Sequence, residues 1–299
     1  MPSLKAIRKR IASTKATQKI TRALKMVAGA KLTRAQQRIV ALRPYAVKTG
    51  EVLQSVAATM TASAEANDEA LHALLARRPE KKALLLVLSA DRGLCGAFNT
   101  NINRTAERAW REKEAAGATV GFATLGRKSR EFLNRRGAEV AHDFVRIYDG
   151  LDLEKARLVT KWLVPRYEKG EWDAVYLVYN EFKSAITQKV TLEPLLPLPP
   201  PASGTPAADK LGPSDFLYEP NQGALLERLV PMYVEISIYR ALLESQAGFF
   251  GAQMTAMDAA TRNAKEMIAR YTLVYNRARQ AAITKELMEI IGGAEALKD

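Results

Sequence analysis

The chain begins with a long helical pattern, Ser3-Leu-Lys-Ala-Ile-Arg-Lys-Arg-Ile-Ala-Ser-Thr-Lys-Ala-Thr-Gln-Lys-Ile-Thr-Arg-Ala-Leu-Lys-Met-Val-Ala-Gly-Ala-Lys-Leu32, which contains no acidic residue. Apolar residues recur at helical spacing in two sets, one before Ser13 and one after Thr17. The residues between these two sets are small or hydroxylated, so we expect a thin seam against another helix. The pattern continues to about residue 66, and Pro44 should bend this helix or interrupt it briefly. The predicted seam residues are Leu4, Ile7, Ile11, Ile20, Leu24 and Val27.

The charge is distributed very unevenly along the chain. The first fifty residues carry 13 basic and no acidic side chains, whereas the rest of the chain holds 32 of each. A helix with this much unbalanced charge needs a negative partner, because like charges on adjacent turns repel each other. The small seam residues make a lipid surface the weakest candidate. An acidic protein surface is favoured, and a basic coiled-coil nucleic-acid-binding protein remains the alternative.

The C-terminal part of the chain contains a second long helical pattern. Met232 to Ile291 has no proline, and apolar or small residues keep a spacing of 3.5. We therefore predict an antiparallel coiled coil, a shaft, made of residues 1–66 and 222–299. The residues predicted to form its second seam are Ile238, Leu242, Ser245, Phe249, Ala252, Met267, Tyr271, Val274, Ala278 and Ala281.

Between the two helical ends, the hydrophobic period changes from that of helices to that of short strands. The rhythm of strand and helix predicts an α/β fold, a Rossmann-like central domain over residues 78–220 with about five mostly parallel strands. Its Pro-rich segment 194–213 is expected to be an exposed connecting loop. The predicted strands are Ala83–Leu88, Thr119–Thr124, Ala174–Tyr179 and Gln188–Leu195, and the predicted helices are Asn101–Glu114, Arg127–Arg135 and Leu153–Glu168.

The sequence offers little that could carry out chemistry. Asp91 to Asn99 follows the first strand, where an α/β fold places a ligand loop, but it lacks the Gly-Lys-Ser/Thr of a P-loop and the third glycine of a dinucleotide loop. A tight structural turn is therefore the favoured interpretation. Cys95 is the only cysteine and is expected to be buried, and His72 and His142 have no clustered ligands. The residues argue against a zinc site and leave a nucleotide loop and a nucleophilic Cys95 as the less favoured alternatives. The longest apolar run is too short to span a bilayer.

Three stretches resemble one known family in the same order along the chain. Ser3 to Leu32, Asp91 to Asn99 and Leu273 to Ala294 are similar to the gamma subunit of F-type ATP synthases. The last of these carries the family signature Ile-Thr-x-Glu-x-x-Glu-x-x-x-Gly-Ala. Leu24 and Gly29 depart from the usual family residues, and the Pro-rich loop is unusual for the family.

The resemblance implies the rotor subunit of the ATP synthase. It would be an asymmetric central shaft that couples ion flow through the membrane c-ring to the conformational cycling of the catalytic beta subunits, and that thereby regulates ATPase activity. It would have no catalytic residue, cofactor or metal site of its own, would bind no nucleotide directly and would bind no nucleic acid. The implied partners are the alpha, beta and epsilon subunits and the c-ring, with delta in the same complex. The implied location is the cytoplasmic side of a bacterial inner membrane, peripheral and attached only through the complex.

The resemblance also implies two sets of contact residues. The first set faces the ring of alpha and beta subunits, and its C-terminal members would donate hydrogen bonds to beta-subunit loops in only some rotary positions. The second set belongs to the foot of the rotor and faces epsilon or the c-ring. The first set is Arg8, Lys19, Arg22, Leu24, Lys25, Arg279, Gln280, Thr284 and Glu286, and the second is Phe216, Tyr218 and Glu219.

Overall fold

The structure, a computed structural model, describes residues 3–67, 74, 78–185, 187–198 and 222–296. Contacts divide the chain into two compact units. Unit 1 consists of Met1–Gly29 and Gln253–Asp299, and unit 2 of Ala30–Ala252. The two ends of the chain thus meet in unit 1, while unit 2 contains the sheet.

The described residues form a mixed α/β fold, as the sequence predicts. The helices are α1 (Leu4–Asn67), α2 (Phe98–Ala115), α3 (Arg127–Arg135), α4 (Leu153–Glu168) and α5 (Gln222–Ala296). The strands are β1 (Lys82–Leu88), β2 (Thr119–Leu125), β3 (Val140–Phe144), β4 (Ala174–Phe182) and β5 (Gln188–Leu196).

The five strands of unit 2 form one sheet in the order β3-β2-β1-β4-β5. The four strands other than β5 run parallel, because a helix connects each of them to the next, and β5 pairs antiparallel with β4. The central strand β1 is covered on both faces, and Leu84 to Leu88 have no solvent exposure. Burial on both faces explains why β1 is a continuous apolar run rather than an alternating one.

Two hydrophobic cores cover the two faces of this sheet. On one face, α4 packs together with the parts of α1 and α5 that belong to unit 2, including Leu53, Val234 and Leu242. On the other face, α2 and α3 pack with residues such as Phe98 and Leu133. The sheet is therefore sandwiched between helices, which is the arrangement expected of a Rossmann-like domain.

Three details of unit 2 differ from the sequence prediction. The segment 194–213 was expected to be an exposed loop, but its residues 194–196 belong to β5, and Leu195, Leu196 and Leu198 are buried because they pack in the core. Residues 199–213 lie outside the described residues.

Strand β3 was not among the predicted strands, because it is a half-buried edge strand whose residues His142 and Asp143 break the apolar pattern. Helix α1 continues through Pro44, so the expected interruption is wrong. Packing of Ile39 and Leu42 against the core holds the helix on the N-terminal side of this proline.

The two helices of unit 1 pack in antiparallel orientation along a regular seam, which confirms the predicted coiled coil over residues 4–28 and 254–282. Arg8 contacts Tyr275, and Lys25, further along α1, contacts Asp258, which lies earlier on α5. The two helices therefore run in opposite directions. The side chains in the seam are buried or half-buried, and they follow one another at alternating spacings of three and four residues, as in a heptad repeat. These positions are Leu4, Ile7, Ile11, Thr14, Gln18, Thr21, Lys25 and Ala28 on α1, and Met254, Met257, Thr261, Ala264, Ile268, Tyr271, Tyr275, Ala278 and Ala282 on α5.

Part of the predicted seam is wrong by one residue. Ile20 and Val27 are exposed, and Leu24 is only half-buried, because the polar residues Thr21 and Lys25 take the seam positions. On α5 the same shift exposes three residues that the apolar pattern had placed in the seam, namely Met267, Val274 and Ala281. On α1 apolar spacing failed because hydrogen bonds that Thr21 and Lys25 make to side chains of α5, which it does not detect, hold this part of the seam together.

Candidate partner-binding surface

Arg8 binds within unit 1 rather than pointing freely to solvent. Its guanidinium donates a hydrogen bond of 2.8 Å to the hydroxyl group of Tyr275 and lies 5.7 Å from the centre of the same ring. Both contacts join the start of α1 to α5. A residue predicted to contact a partner subunit therefore has a structural role within the chain as well.

Lys25 is also held by a side chain of unit 1. Its ammonium donates to Asp258 Oδ1 at 2.5 Å, and Arg262 lies 3.5 Å from the other oxygen of the same carboxylate. The hydrogen bond from Lys25, together with the charges of Lys25 and Arg262, lowers the pKa of Asp258. One turn away, the hydroxyl groups of Thr21 and Thr261 are 2.8 Å apart. Polar contacts thus replace apolar packing over this part of the seam.

The other predicted basic contact residues lie on the outer surface of α1. Lys19 and Arg22 are both exposed. Near them, Ile20, Met26 and Val27 keep between 51 and 60% of their surface accessible. Large apolar side chains that are this exposed and this close together indicate a surface that a partner covers. The outer face of α1 therefore combines positive charge with apolar contact area.

The C-terminal end of α5 extends past its last seam contact. Arg279, Gln280, Thr284 and Glu286 are all exposed, and every described side chain from residue 283 to residue 293 is exposed as well. These residues are exposed because Arg8 is level with Tyr275 and α1 begins only one turn before Arg8, at Leu4. No residue of the described α1 therefore lies beside the end of α5. The exposed surface is largely apolar, and its large side chains are Ile283, Leu287, Met288, Ile290 and Ile291.

This apolar surface was not predicted from the sequence. That it lies beyond the described start of α1 at Leu4 follows from the contact between Arg8 and Tyr275, which the sequence alone does not give. The predicted foot residues Phe216, Tyr218 and Glu219 lie outside the described residues.

The loop that follows β1 is fastened by its own hydrogen bonds. Asp91 accepts a bond from the backbone N–H of Arg127, and Asn99 accepts one from Ala90, both at 3.0 Å. The amide of Asn99 also donates to the carbonyl of Arg92 at 3.2 Å. Cys95 is buried, as predicted, and burial raises the pKa of its thiol. These contacts account for the loop as a structural turn.

The described residues contain neither a metal cluster nor a membrane-spanning helix. No group of three or more His, Cys, Asp and Glu side chains in that part of the chain could hold a metal ion. None of the helices described there is long and apolar enough to cross a membrane. His72 lies outside the described residues, and His142 stacks on Trp162 with their ring centres 5.0 Å apart.

Comparison with known proteins gives full-length matches. The ATP synthase family model matches residues 3–297. The ATP synthase gamma chain of Sorangium cellulosum (strain So ce56) is 56% identical, and that of Geobacter metallireducens (strain ATCC 53774 / DSM 7210 / GS-15) is 48% identical, with all of both chains covered in each case. The gamma chain of Anaeromyxobacter sp. (strain K) is also 48% identical over the whole of both chains.

Solved structures share the fold. A chain of the Euglena gracilis mitochondrial ATP synthase (OSCP/F1/c-ring, rotational state 3) superposes with a TM-score of 0.66 at 19% identity, and covers 98% of this chain and 94% of that one. A chain of the central stalk and c-ring of the Tetrahymena thermophila mitochondrial ATP synthase gives a TM-score of 0.60 at 24% identity, covering 81% and 99%. At these identities the likeness concerns the fold alone.

Proposed function

The chain belongs to the ATP synthase gamma chain family, and from that premise we propose that it is the rotor subunit of a bacterial F-type ATP synthase. Its antiparallel helices form the asymmetric central shaft of the catalytic head. Turning this shaft couples ion flow through the membrane c-ring to the conformational cycling of the catalytic beta subunits, in synthesis and in hydrolysis of ATP. The identity of 56% over a whole gamma chain supports this function.

The charge of α1 supports contact with acidic surfaces of the surrounding subunits. Lys19 and Arg22 are exposed on α1, and the first fifty residues of the chain hold no acidic side chain. Charges of this kind attract a partner over several ångströms and form individually weak contacts, each worth about 0.2–1 kcal/mol. Weak contacts suit a shaft that must leave each surface and meet the next.

The asymmetry of the chain supports its role in coupling. One shaft inside a symmetric ring of alpha and beta subunits must contact equivalent subunits differently. Each orientation then favours a different set of open and closed catalytic sites, which amounts to a coupling free energy between rotation and nucleotide affinity. Arg279, Gln280 and Thr284 make hydrogen bonds to beta-subunit loops in only some orientations. A bond made equally in all of them would shift no equilibrium.

The same proposal includes the partners and the location. The chain contributes no catalytic residue and no nucleotide site, and assembles with the alpha, beta and epsilon subunits and the c-ring, with delta in the same complex. Phe216, Tyr218 and Glu219 contact epsilon or the c-ring, which rests on the family resemblance alone. The complex lies on the cytoplasmic side of the bacterial inner membrane, and this chain is peripheral to it. The bacterial relatives support that location.

The observation that carries the proposal is the end of α5, where the family signature coincides with an exposed, largely apolar helix surface. A surface of this kind is expected to be covered in an assembly. The test is co-purification of the tagged chain from its own bacterium, washed at increasing salt. We expect alpha, beta and epsilon subunits to be retained. Salt-sensitive retention of DNA without these subunits would reject the rotor function in favour of a nucleic-acid-binding protein.

A further inference from the structure

We propose that Asp258 is a positioning residue that holds Lys25 of α1 and Arg262 of α5 in place for contact with an acidic partner surface. The inference rests on the proposed rotor function, because such a contact is what the two cations would serve. Asp258 is thus an acidic residue within a surface whose other charged groups are basic.

The geometry gives the carboxylate of Asp258 two cations at once. Its Oδ1 accepts a hydrogen bond of 2.5 Å from the ammonium of Lys25, and its Oδ2 lies 3.5 Å from the guanidinium of Arg262. The three side chains together keep one net positive charge. They also remain accessible, since Lys25 exposes 44%, Asp258 34% and Arg262 71% of its side-chain surface. A partner carboxylate could therefore reach either cation without unfolding the helix pair.

The position of Lys25 in the seam explains why such a residue is needed. Lys25 occupies a heptad position where a coiled coil ordinarily places an apolar side chain. Its stem packs in the seam while its ammonium reaches the edge of the helix pair, as long basic side chains commonly do. Within the described part of unit 1, its bond to Asp258 is the only ion pair that joins α1 to α5. The direction of Lys25 is thus set by a side chain on the opposite helix.

Holding these side chains matters for binding as well as for stability. A free lysine or arginine loses much side-chain entropy when a partner fixes it, and a side chain already held in place loses less. Asp258 on its own would repel an acidic partner, and the two cations bound to it remove that repulsion. Removing Asp258 would raise the net charge of the surface, yet we expect it to weaken the contact because the two cations lose their alignment.

The experiment uses the assembled complex with three variants of this chain: Asp258→Asn, Asp258→Glu, and the exchange Lys25→Asp with Asp258→Lys. For each, steady-state ATP hydrolysis is measured at low and high salt, together with the melting temperature of the complex. We expect Asp258→Asn to lower turnover at low salt by about twofold to fivefold, and Asp258→Glu to restore most of it. The exchange should restore the melting temperature but not turnover, because it keeps the net charge of the three side chains but replaces the cation on α1 with an anion and places both cations on α5.

A matched control is the ion pair of Arg157 and Glu235, which joins α4 to α5 at 3.2 Å in unit 2. Its exchange, Arg157→Glu with Glu235→Arg, should leave turnover unchanged.

If the Lys25 and Asp258 exchange restores both turnover and melting temperature, the pair only fastens the two helices and the proposal is wrong. If Asp258→Asn leaves turnover unchanged in a complex that assembles normally, the proposal is also wrong while the rotor function stands. Failure of the wild-type chain to assemble with alpha and beta would instead overturn the rotor function.

Discussion

The guanidinium of Arg8 is bound to the hydroxyl group of Tyr275 at 2.8 Å, close to the point where α1 begins and α5 loses its partner helix. This bond fastens the first turns of α1, which have only Leu4, Ile7 and Ile11 as apolar seam residues. The register of the two helices at this end therefore depends on a polar contact.

Replacing Tyr275 with Phe should loosen the start of α1. The substitution keeps the aromatic ring that faces Arg8 but removes the hydroxyl group that accepts its hydrogen bond. We expect faster amide hydrogen exchange around Ile7 and Ile11, with exchange of the β1 amides unchanged. Thr272→Val is the control, because the Thr272 hydroxyl bonds only to the carbonyl of Ile268 on its own helix. Equal exchange rates in wild type and Tyr275→Phe would contradict the prediction.

The stability of unit 2 should depend on the absence of a side chain at Gly121. A Cβ atom at this position would lie 2.2 Å from the indole ring of Trp172, which is large and cannot move aside without disturbing the core. Gly121→Ala should lower the free energy of unfolding by about 1–3 kcal/mol, measured by chemical denaturation. Gly93→Ala is the control, because nothing lies within 4 Å of a Cβ there. Similar losses in the two variants would refute the packing argument.

Much of this fold could be predicted from sequence, and the failures have a common cause. Apolar runs identified β1, β2 and β4, because these strands lie in the buried interior of the sheet. Strand β5 was also predicted, although it is an edge strand with only its last two residues buried. Strand β3 and the polar part of the seam were missed because hydrogen bonds, rather than apolar contacts, specify them. Asp143, for example, accepts a bond of 2.6 Å from Thr124 and holds β3 beside β2.

The contact residues show the same limit. The family resemblance named Arg8 and Lys25 but could not indicate that Tyr275 and Asp258 bind them within the chain. It did not indicate the apolar surface at the end of α5 either, because that depends on where the opposite helix begins.

The carboxyl group of Glu244 should make the stability of unit 2 depend on pH. Burial raises the pKa of Glu244, although the positive charge of Arg240 acts to lower it. The guanidinium of Arg240 is bound at 2.5 Å to a different carboxylate, that of Glu193. An acid whose folded-state pKa is raised makes the folded state less stable as the pH rises from the unfolded-state pKa to the folded-state pKa, and the loss is complete above it. Glu244→Gln removes this loss. We therefore expect the variant to gain melting temperature over wild type as the pH rises from about 5 to about 8.

A control for this prediction is Glu131→Gln in the same unit, since the hydrogen bond from Lys128 lowers the pKa of Glu131, the opposite direction. That variant should not gain stability over wild type as the pH rises. Parallel pH profiles for wild type and Glu244→Gln would mean that Glu244 does not titrate differently in the folded and unfolded chain.

Reversing the outward charges of α1 should weaken coupling without preventing assembly. In the double variant Lys19→Glu with Arg22→Glu, two exposed cations become anions, each changing contacts worth about 0.2–1 kcal/mol. Lys25 is left unchanged so that its bond to Asp258 survives. We expect ATP-driven ion pumping in membrane vesicles to fall relative to ATP hydrolysis. A double reversal of the exposed Arg104 and Lys161 in unit 2 is the control, and unchanged pumping by the α1 variant would count against the proposed contact.

The last prediction concerns Arg279 and Gln280, which are exposed on α5 and support no described contact between the helices. If they only held the structure together, replacing them would affect stability and activity alike. If they bind beta-subunit loops in some orientations and not in others, the replacement removes a difference between rotary states and leaves each state intact.

Arg279→Ala with Gln280→Leu should therefore reduce steady-state ATP hydrolysis by about tenfold or more, for a combined loss of at least about 1.4 kcal/mol of differential binding. The melting temperature of the purified complex and the binding of nucleotide to a single catalytic site should stay close to wild type, because neither requires rotation. Lys265→Ala, which removes an exposed side chain from the same helix, is the matched control. Parallel losses of turnover and melting temperature in the double variant would mean that this end of α5 serves assembly, and the coupling role of the two residues would have to be abandoned.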